Sequence, residues 1–308
     1  MPRPHALRCG REETATTRMG KPSQSKPPSL AELRQEIDRI DEAMHRLLMD
    51  RGDIIDRLIA AKQTQEKGSA FRPAREADMM RRLVDRHKGI LPLDTAESIW
   101  RVIISTFTYV QAPFSVHADL STGDAAVRDS ARFHFGFTVP FVPHPDAPSV
   151  VAAVSDSRGD LGLVPVFGMA GAGAWWSALE SNAAPKIVAR LPFVERADHP
   201  AGVPVFVVSR AAADAMVREV EVWSVRLAGW TTAAAQAVAP LAEVIAVPDR
   251  GLDSAALLIS VPQGGNIERV TDTLVRAGAS VRTADLVGSH ATRYRISAEG
   301  ARPVPTGR

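Results

Sequence analysis

From Leu30 onward the apolar residues fall at positions 30, 33, 37, 40, 44 and 47, an unbroken alternation of three and four. That spacing is the mark of a helix seam packed against other helices. Continued, it calls for apolar residues at 51, 54, 58 and 61. Ile54, Leu58 and Ala61 comply, and Arg51 does not. Ser29 followed by Glu32 supplies a capping box at the start. The pattern predicts a helix from Leu30 to about residue 66, roughly 55 Å long. A compact domain of about 85 residues has a radius of gyration of only about 12 Å. Such a helix overhangs its own domain, so a second copy of the chain is expected to cover it.

Gly68 and Ser69 interrupt the pattern, and Pro73 suits the first turn of a second helix reaching about His87. Pro92 and Asp94 open a third, with Asp94 and Glu97 as a second capping-box pair, and Pro113 closes it. Its apolar face reads Trp100, Ile103, Ile104 and Phe107, with polar Gln111 next in line. Beyond Pro113 the texture turns to short β-rich runs, Phe114–Ala118, Leu161–Val166 and Val203–Val208, between helical stretches, which predicts an α/β domain over 114–221. Over 222–298 the order becomes strand (222–228), helix (231–241), strands (243–247, 255–261), helix (265–277) and strand (280–287), the βαββαβ order of a ferredoxin-like module. The expectation is therefore a multidomain chain: a disordered tail (1–28), an all-α three-helix domain (29–113), the α/β domain, the ferredoxin-like module and a closing tail (299–308). Met19 is an alternative start.

Several function classes are disfavoured. A formal charge of +2 on 308 residues argues for neither nucleic acid nor an anionic membrane surface. No apolar run reaches the length of a membrane span, and the leader lacks the apolar core of a secretory signal. With Cys9 the single cysteine, a reducing, cytoplasmic compartment is expected. The eight histidines are scattered, so no metal site is expected, and His117 and His134 read as loop or surface residues. Gly168, Gly171 and Gly173 follow a strand, but Trp176 stands where a dinucleotide fingerprint needs its third glycine. A loop is the simpler reading.

A lone arginine in a seam snorkels or sets register. Here it is not alone. Lys62 lies eleven residues after Arg51, about 20° around the helix and about 16 Å along it. Arg34, seventeen residues before Arg51, is about 100° off that face and would serve another cavity, such as one in a partner chain. Arg75 and Glu76 stand in the first turn of the second helix and Gln111 near the end of the third. Buried cations in excess of protein acids are costly unless a ligand brings negative charge. The inventory describes a pocket for a small dianion bearing a hydroxyl, its arginines suited to bidentate carboxylate contacts.

The frame LxxLRxEIDxIDxxxxxLLxxR from Leu30 to Arg51, followed by Lys62, Arg75-Glu76 and Gln111, resembles the all-helical class of chorismate mutase over residues 29–112. The resemblance implies an intertwined homodimer through the first helix, in which each site borrows one arginine from the partner, by position Arg34. It also implies the sigmatropic conversion of chorismate to prephenate without metal or cofactor. Arg34, Arg51 and Arg75 would clamp the two carboxylates, Lys62 and Gln111 would donate to the breaking ether oxygen, and Glu76 would accept from the ring hydroxyl. Gln111 needs no protonation to donate, so activity without a demand for acid pH is expected. Departures from the family pattern are Arg72 in place of an acid, Phe107 in place of a small polar residue, and Gly52 inside the helix.

Residues 114–210 resemble a degenerate prephenate dehydratase domain, which implies a periplasmic-binding-like α/β fold. STGDAAVRDSARFHFG (121–136) matches its first loop and helix, and RGDLGLVPV (158–166) the strand before its ligand loop. The family's Thr-Arg-Phe aligns with Pro204-Val205-Phe206 and its Glu-Asn-Ser with Phe167-Gly168-Met169, so dehydratase activity is not expected. The βαββαβ module resembles an ACT domain, with VPQGGNIERV (261–270) at its ligand loop. The leading expectation is a dimeric chorismate mutase with a noncatalytic C-terminal half. The alternatives are a bifunctional mutase and dehydratase, or a noncatalytic ligand-sensing protein.

Overall fold

Helix α1 runs from Leu30 to Lys62 and carries the whole seam. The computed structural model describes residues 27–62, 70–167, 173–210, 217–247 and 254–296, so an extension of α1 to residue 66 and the break at Gly68 and Ser69 lie outside the described residues. The Ser29 capping box forms in full: the Ser29 amide donates to Glu32 Oε2 at 2.7 Å and the Glu32 amide to Ser29 Oγ at 3.3 Å. Hydrogen bonds from Ser29 to the Glu32 carboxyl, from its backbone amide first and its hydroxyl second, hold that carboxyl below its ordinary pKa. The seam itself is open to solvent in the single chain, with Leu47 65% and Ile54 54% exposed. The chain parts into two compact units, Met1–Arg51 and Gly52–Arg308.

In the second unit, α2 spans Pro73–Arg86 and α3 spans Leu93–Gln111. One expectation for α3 fails and a second holds only at Ile104. Its N-cap is Pro92, without a side-chain cap, because Asp94 and Glu97 are both taken by Arg196, about a hundred residues away in sequence. Its buried face carries Glu97, Arg101, Ile104, Ser105 and Thr108, whereas Trp100, Ile103, Phe107 and Gln111 are only half-buried. The helix is turned so that a largely polar face meets the rest of the unit.

The remainder is a mixed sheet with flanking helices. Strands β1 (Val116–Asp119), β2 (Phe141–His144) and β3 (Leu161–Pro165) are parallel and linked by α4 (Asp124–Phe135) and α5 (Ala147–Asp156). Strands β4 (Lys186–Leu191) and β6 (Val205–Ser209) follow, with β6 antiparallel to both β3 and β4. Every residue of β3 and β6 is buried, as apolar strands covered on both faces should be. The last part brings β7 (Val220–Ala228), α6 (Thr232–Val238), β8 (Glu243–Ala246), β9 (Ala255–Pro262), α7 (Ile267–Arg276) and β10 (Ser280–His290), in the βαββαβ order expected. Strands β10, β7, β9 and β8 pair antiparallel in that order. A short pair, β5 (Val194–Glu195) with β11 (Tyr294–Arg295), stands apart.

Residues 114–221 and 222–298 do not form separate sheets. Among the described residues nine strands run in one sheet, β2-β1-β3-β6-β4-β10-β7-β9-β8, and the join is β10 against β4 at Gly288 and Ile187. Gly288 sits at φ 155°, and a Cβ there would lie 2.2 Å from the Ile187 carbonyl oxygen and 2.5 Å from its nitrogen. Only a bare backbone lets the two halves approach this closely. Gly288→Ala is expected to cost about 2 kcal/mol or more, lowering the thermal midpoint by at least about 4 °C. A melt indistinguishable from that of the parent would contradict this account of the join.

Candidate active site

The expected site residues divide by environment. On α1, Arg34 is exposed and Arg51 is half-buried; Lys62 is the last residue of the helix, and its side chain lies outside the described residues. Arg75 and Glu76 stand in the first turn of α2 with opposite fates. Arg75 is exposed, while Glu76 is buried to 4% and takes a hydrogen bond from Arg101 Nη1 at 2.7 Å. Gln111 is half-buried, and its Nε2 donates to the Phe107 carbonyl at 2.9 Å. Arg75, Glu76 and Gln111 form no hydrogen bonds with one another among the described residues. Arg101, on the buried face of α3, is not announced by the helical phases of α1 or α3. Gly52 also finds no explanation in packing, because a Cβ there would meet Phe107 at an ordinary 3.9 Å.

Behind Glu76 lies a buried polar node. Glu97 is fully buried and accepts from Arg196 Nη1 at 2.8 Å, with His199 Nε2 3.3 Å from its other oxygen. The Ala201 amide donates to His199 Nδ1, so the proton of His199 sits on Nε2 and points to Glu97. His134, expected at the surface, is buried and stacks on His199 at 6.0 Å between centroids. Neither of its ring nitrogens has a hydrogen-bond partner. Burial first, then the nearby Arg101 cation, push its pKa well below the ordinary value, so the ring is neutral. His117 lies on β1 rather than in a loop, 2.8 Å from the His144 ring and 3.2 Å from Asp160. Among the described residues no group of three or more His, Cys, Asp or Glu side chains could hold a metal ion.

A pocket of about 410 Å³, counting its open mouth, is lined by Arg190, Arg196, Arg293, Glu195, His199 and Pro204, among others. Pro204 stands where the dehydratase resemblance calls for threonine. The arginines are already matched by acids. Arg190 forks onto Glu243 at 3.1 and 3.4 Å, Arg293 reaches Glu195 at 2.6 Å and Glu243 at 3.2 Å, and Arg196 holds Asp94 and Glu97. Burial, followed by the neighbouring Arg190, lowers the pKa of Arg293. Phe167 is exposed, whereas Gly168, Met169 and Gly171 lie outside the described residues. Gly173 takes φ 57° and Trp176 is fully buried in the core, which favours a loop over a dinucleotide turn.

Residues 33–112 match the family described as chorismate mutase type II. The chain is also similar to curated proteins named bifunctional chorismate mutase/prephenate dehydratase. The relative from Aquifex aeolicus is 31% identical over 141 residues, covering 44% of this chain and 38% of that protein. Those from Neisseria gonorrhoeae and Pseudomonas aeruginosa are each 29% identical, over 43% and 44% of this chain and 36% and 38% of their own lengths. The matched stretch thus spans little more than a third of each relative. No helix among the described residues is long and apolar enough to cross a membrane.

His290, beside Arg190, Arg293 and Glu243, yields a pH prediction. Its Nδ1 donates to the Ala291 carbonyl at 2.8 Å, its Nε2 is buried without a partner, and burial lowers its pKa to about 4. The unfolded chain protonates near 6.5 and the folded one only near 4, so this contribution is complete above 6.5 and is lost as pH falls towards 4. Urea unfolding at pH 4.5 against pH 7.5 should show a loss smaller by roughly 2 to 3 kcal/mol in His290→Gln than in the parent. Equal losses in the two proteins would contradict a buried neutral His290.

Proposed function

We propose that the chain is a chorismate mutase, acting as a cytoplasmic homodimer and converting chorismate to prephenate in aromatic amino-acid biosynthesis. One observation carries the reading: the segment matching chorismate mutase type II contains, at or inside its bounds, the whole set Arg34, Arg51, Lys62, Arg75, Glu76 and Gln111. The rearrangement is unimolecular and requires neither nucleophile nor metal. The protein's task is to hold the substrate in its compact form and to favour the charge that develops. Arg34 from the partner, with Arg51 and Arg75, clamps the two carboxylates. Lys62 and Gln111 donate to the ether oxygen as its bond breaks, an interaction stronger in the transition state than in the ground state. Glu76 accepts from the ring hydroxyl.

The open apolar seam of α1 supports an intertwined dimer, since exposed side chains from Leu30 to Leu58 need a cover. The β2-β1-β3 arrangement with antiparallel β6 supports a periplasmic-binding-like half over 114–221. The β10-β7-β9-β8 order supports a ferredoxin-like, ACT-like module over 222–298. We read this C-terminal half as noncatalytic, because Pro204 replaces the dehydratase threonine and the pocket beside it has its arginines matched by acids. A bifunctional mutase and dehydratase is the second reading, favoured by the names of the relatives.

Arg34→Ala and Lys62→Ala chains, each at least about a hundredfold impaired alone, should recover on refolding together. In a symmetric dimer about a quarter of the sites become intact. No recovery would overturn the shared site. Phenylpyruvate formed directly, without acid treatment, would replace the noncatalytic reading by the bifunctional one.

A further inference from the structure

We infer that Arg101 is a positioning residue for Glu76, so that the α/β part of the chain orients the hydroxyl acceptor of the mutase site. The inference rests on the role proposed above for Glu76. Arg101 is 1% exposed and projects from the buried face of α3. Its Nη1 donates to Glu76 Oε2 at 2.7 Å, its Nη2 donates to the backbone carbonyl of His134 at the end of α4 at 3.2 Å, and its guanidinium lies 5.2 Å from the centre of the Phe193 ring. The guanidinium is thus fixed from three elements: α2, α4 and the link between β4 and β5.

The arrangement leaves Glu76 half engaged. Oε2 is held by Arg101, and among the described residues Oε1 accepts no hydrogen bond. A carboxylate with one oxygen anchored cannot swing about its terminal torsion, so the other is presented in one direction, as a substrate hydroxyl requires. Arg101 itself has nowhere else to go. Its Nε is buried without a partner, and a cation this deep is confined to the acid that neutralises it. His134 does not compete for that acid, because its ring is neutral. Nothing in the α1 seam or the Arg75-Glu76 pair announces this role.

A double-mutant cycle on the full chain tests the inference, with kcat/KM for chorismate and the thermal midpoint read for the parent, Glu76→Gln, Arg101→Gln and the double variant. If Arg101 acts through Glu76, Arg101→Gln lowers kcat/KM at least about tenfold in the parent and less than about twofold on the Glu76→Gln background. Equal losses on both backgrounds would make Arg101 a merely structural residue and overturn the inference. Should Arg101→Gln be unfolded at the assay temperature, Arg101→Lys takes its place, since it keeps the charge but cannot bridge Glu76 and His134 together. Its loss should be at least about threefold in the parent and absent on the Glu76→Gln background, and equal losses again overturn the inference. Undiminished kcat/KM in Glu76→Gln removes the role of Glu76 and the inference with it. No chorismate turnover by the parent removes the proposed function itself.

Discussion

The ion pair between Arg101 and Glu76 is the contact on which the arrangement of the second unit turns. A guanidinium excluded from water must be neutralised and hydrogen-bonded where it lies, so the elements that meet it have little freedom to shift. It draws the first turn of α2 and the end of α4 onto one face of α3. The neighbouring turn of α3 repeats the device, with Glu97 receiving Arg196 and His199. Tyr294 adds a third tie, its hydroxyl donating to Asp85 of α2 at 2.7 Å. Such pairs add little net stability over an apolar interface, but they specify one docking geometry.

Helix α1 poses the opposite problem. Its seam residues Leu30, Leu33, Ile37, Ile40, Met44, Leu47, Ile54 and Leu58 are 38% to 74% exposed in the single chain, and burying a large apolar side chain is worth about 1.5 to 3 kcal/mol. A seam of this length is a reservoir of association free energy. In the proposed dimer the same helix supplies both the cover and the borrowed Arg34, so folding, assembly and site completion are a single event. The arginines fall into two kinds: Arg101 and Arg196, which the helical phases did not single out, are buried and neutralised within the chain, whereas Arg34 and Arg75 stand exposed.

What could be read in advance follows the range of the interactions. The Ser29 capping box and the βαββαβ order rest on local chemistry and periodicity, and both were legible. Asp94 and Glu97 have the same local signature as Ser29 and Glu32, yet Arg196 claims them, and no local pattern announces a partner about a hundred residues away. The apolar face expected on α3 is buried only at Ile104, for a related reason. Helical phase locates the apolar residues, but the face a helix buries is set by what it packs against, and here α4 and Arg196 reward the polar one. Gly288, which merges two expected sheets into one, is an ordinary glycine until Ile187 is placed beside it. His134 was read as exposed because its neighbours Arg132 and Phe133 do not reveal that its carbonyl receives Arg101.

Turnover of chorismate by the proposed helical site, with Arg51 at its centre, is read from the decay of chorismate absorbance. With the purified full chain and a chelator present, the account predicts saturable, enzyme-dependent loss of chorismate matched by prephenate. It further predicts a fall of at least about a hundredfold in kcat/KM for Arg51→Ala at unchanged secondary structure. Chorismate decaying no faster than in buffer, or equally fast with Arg51→Ala, would contradict it.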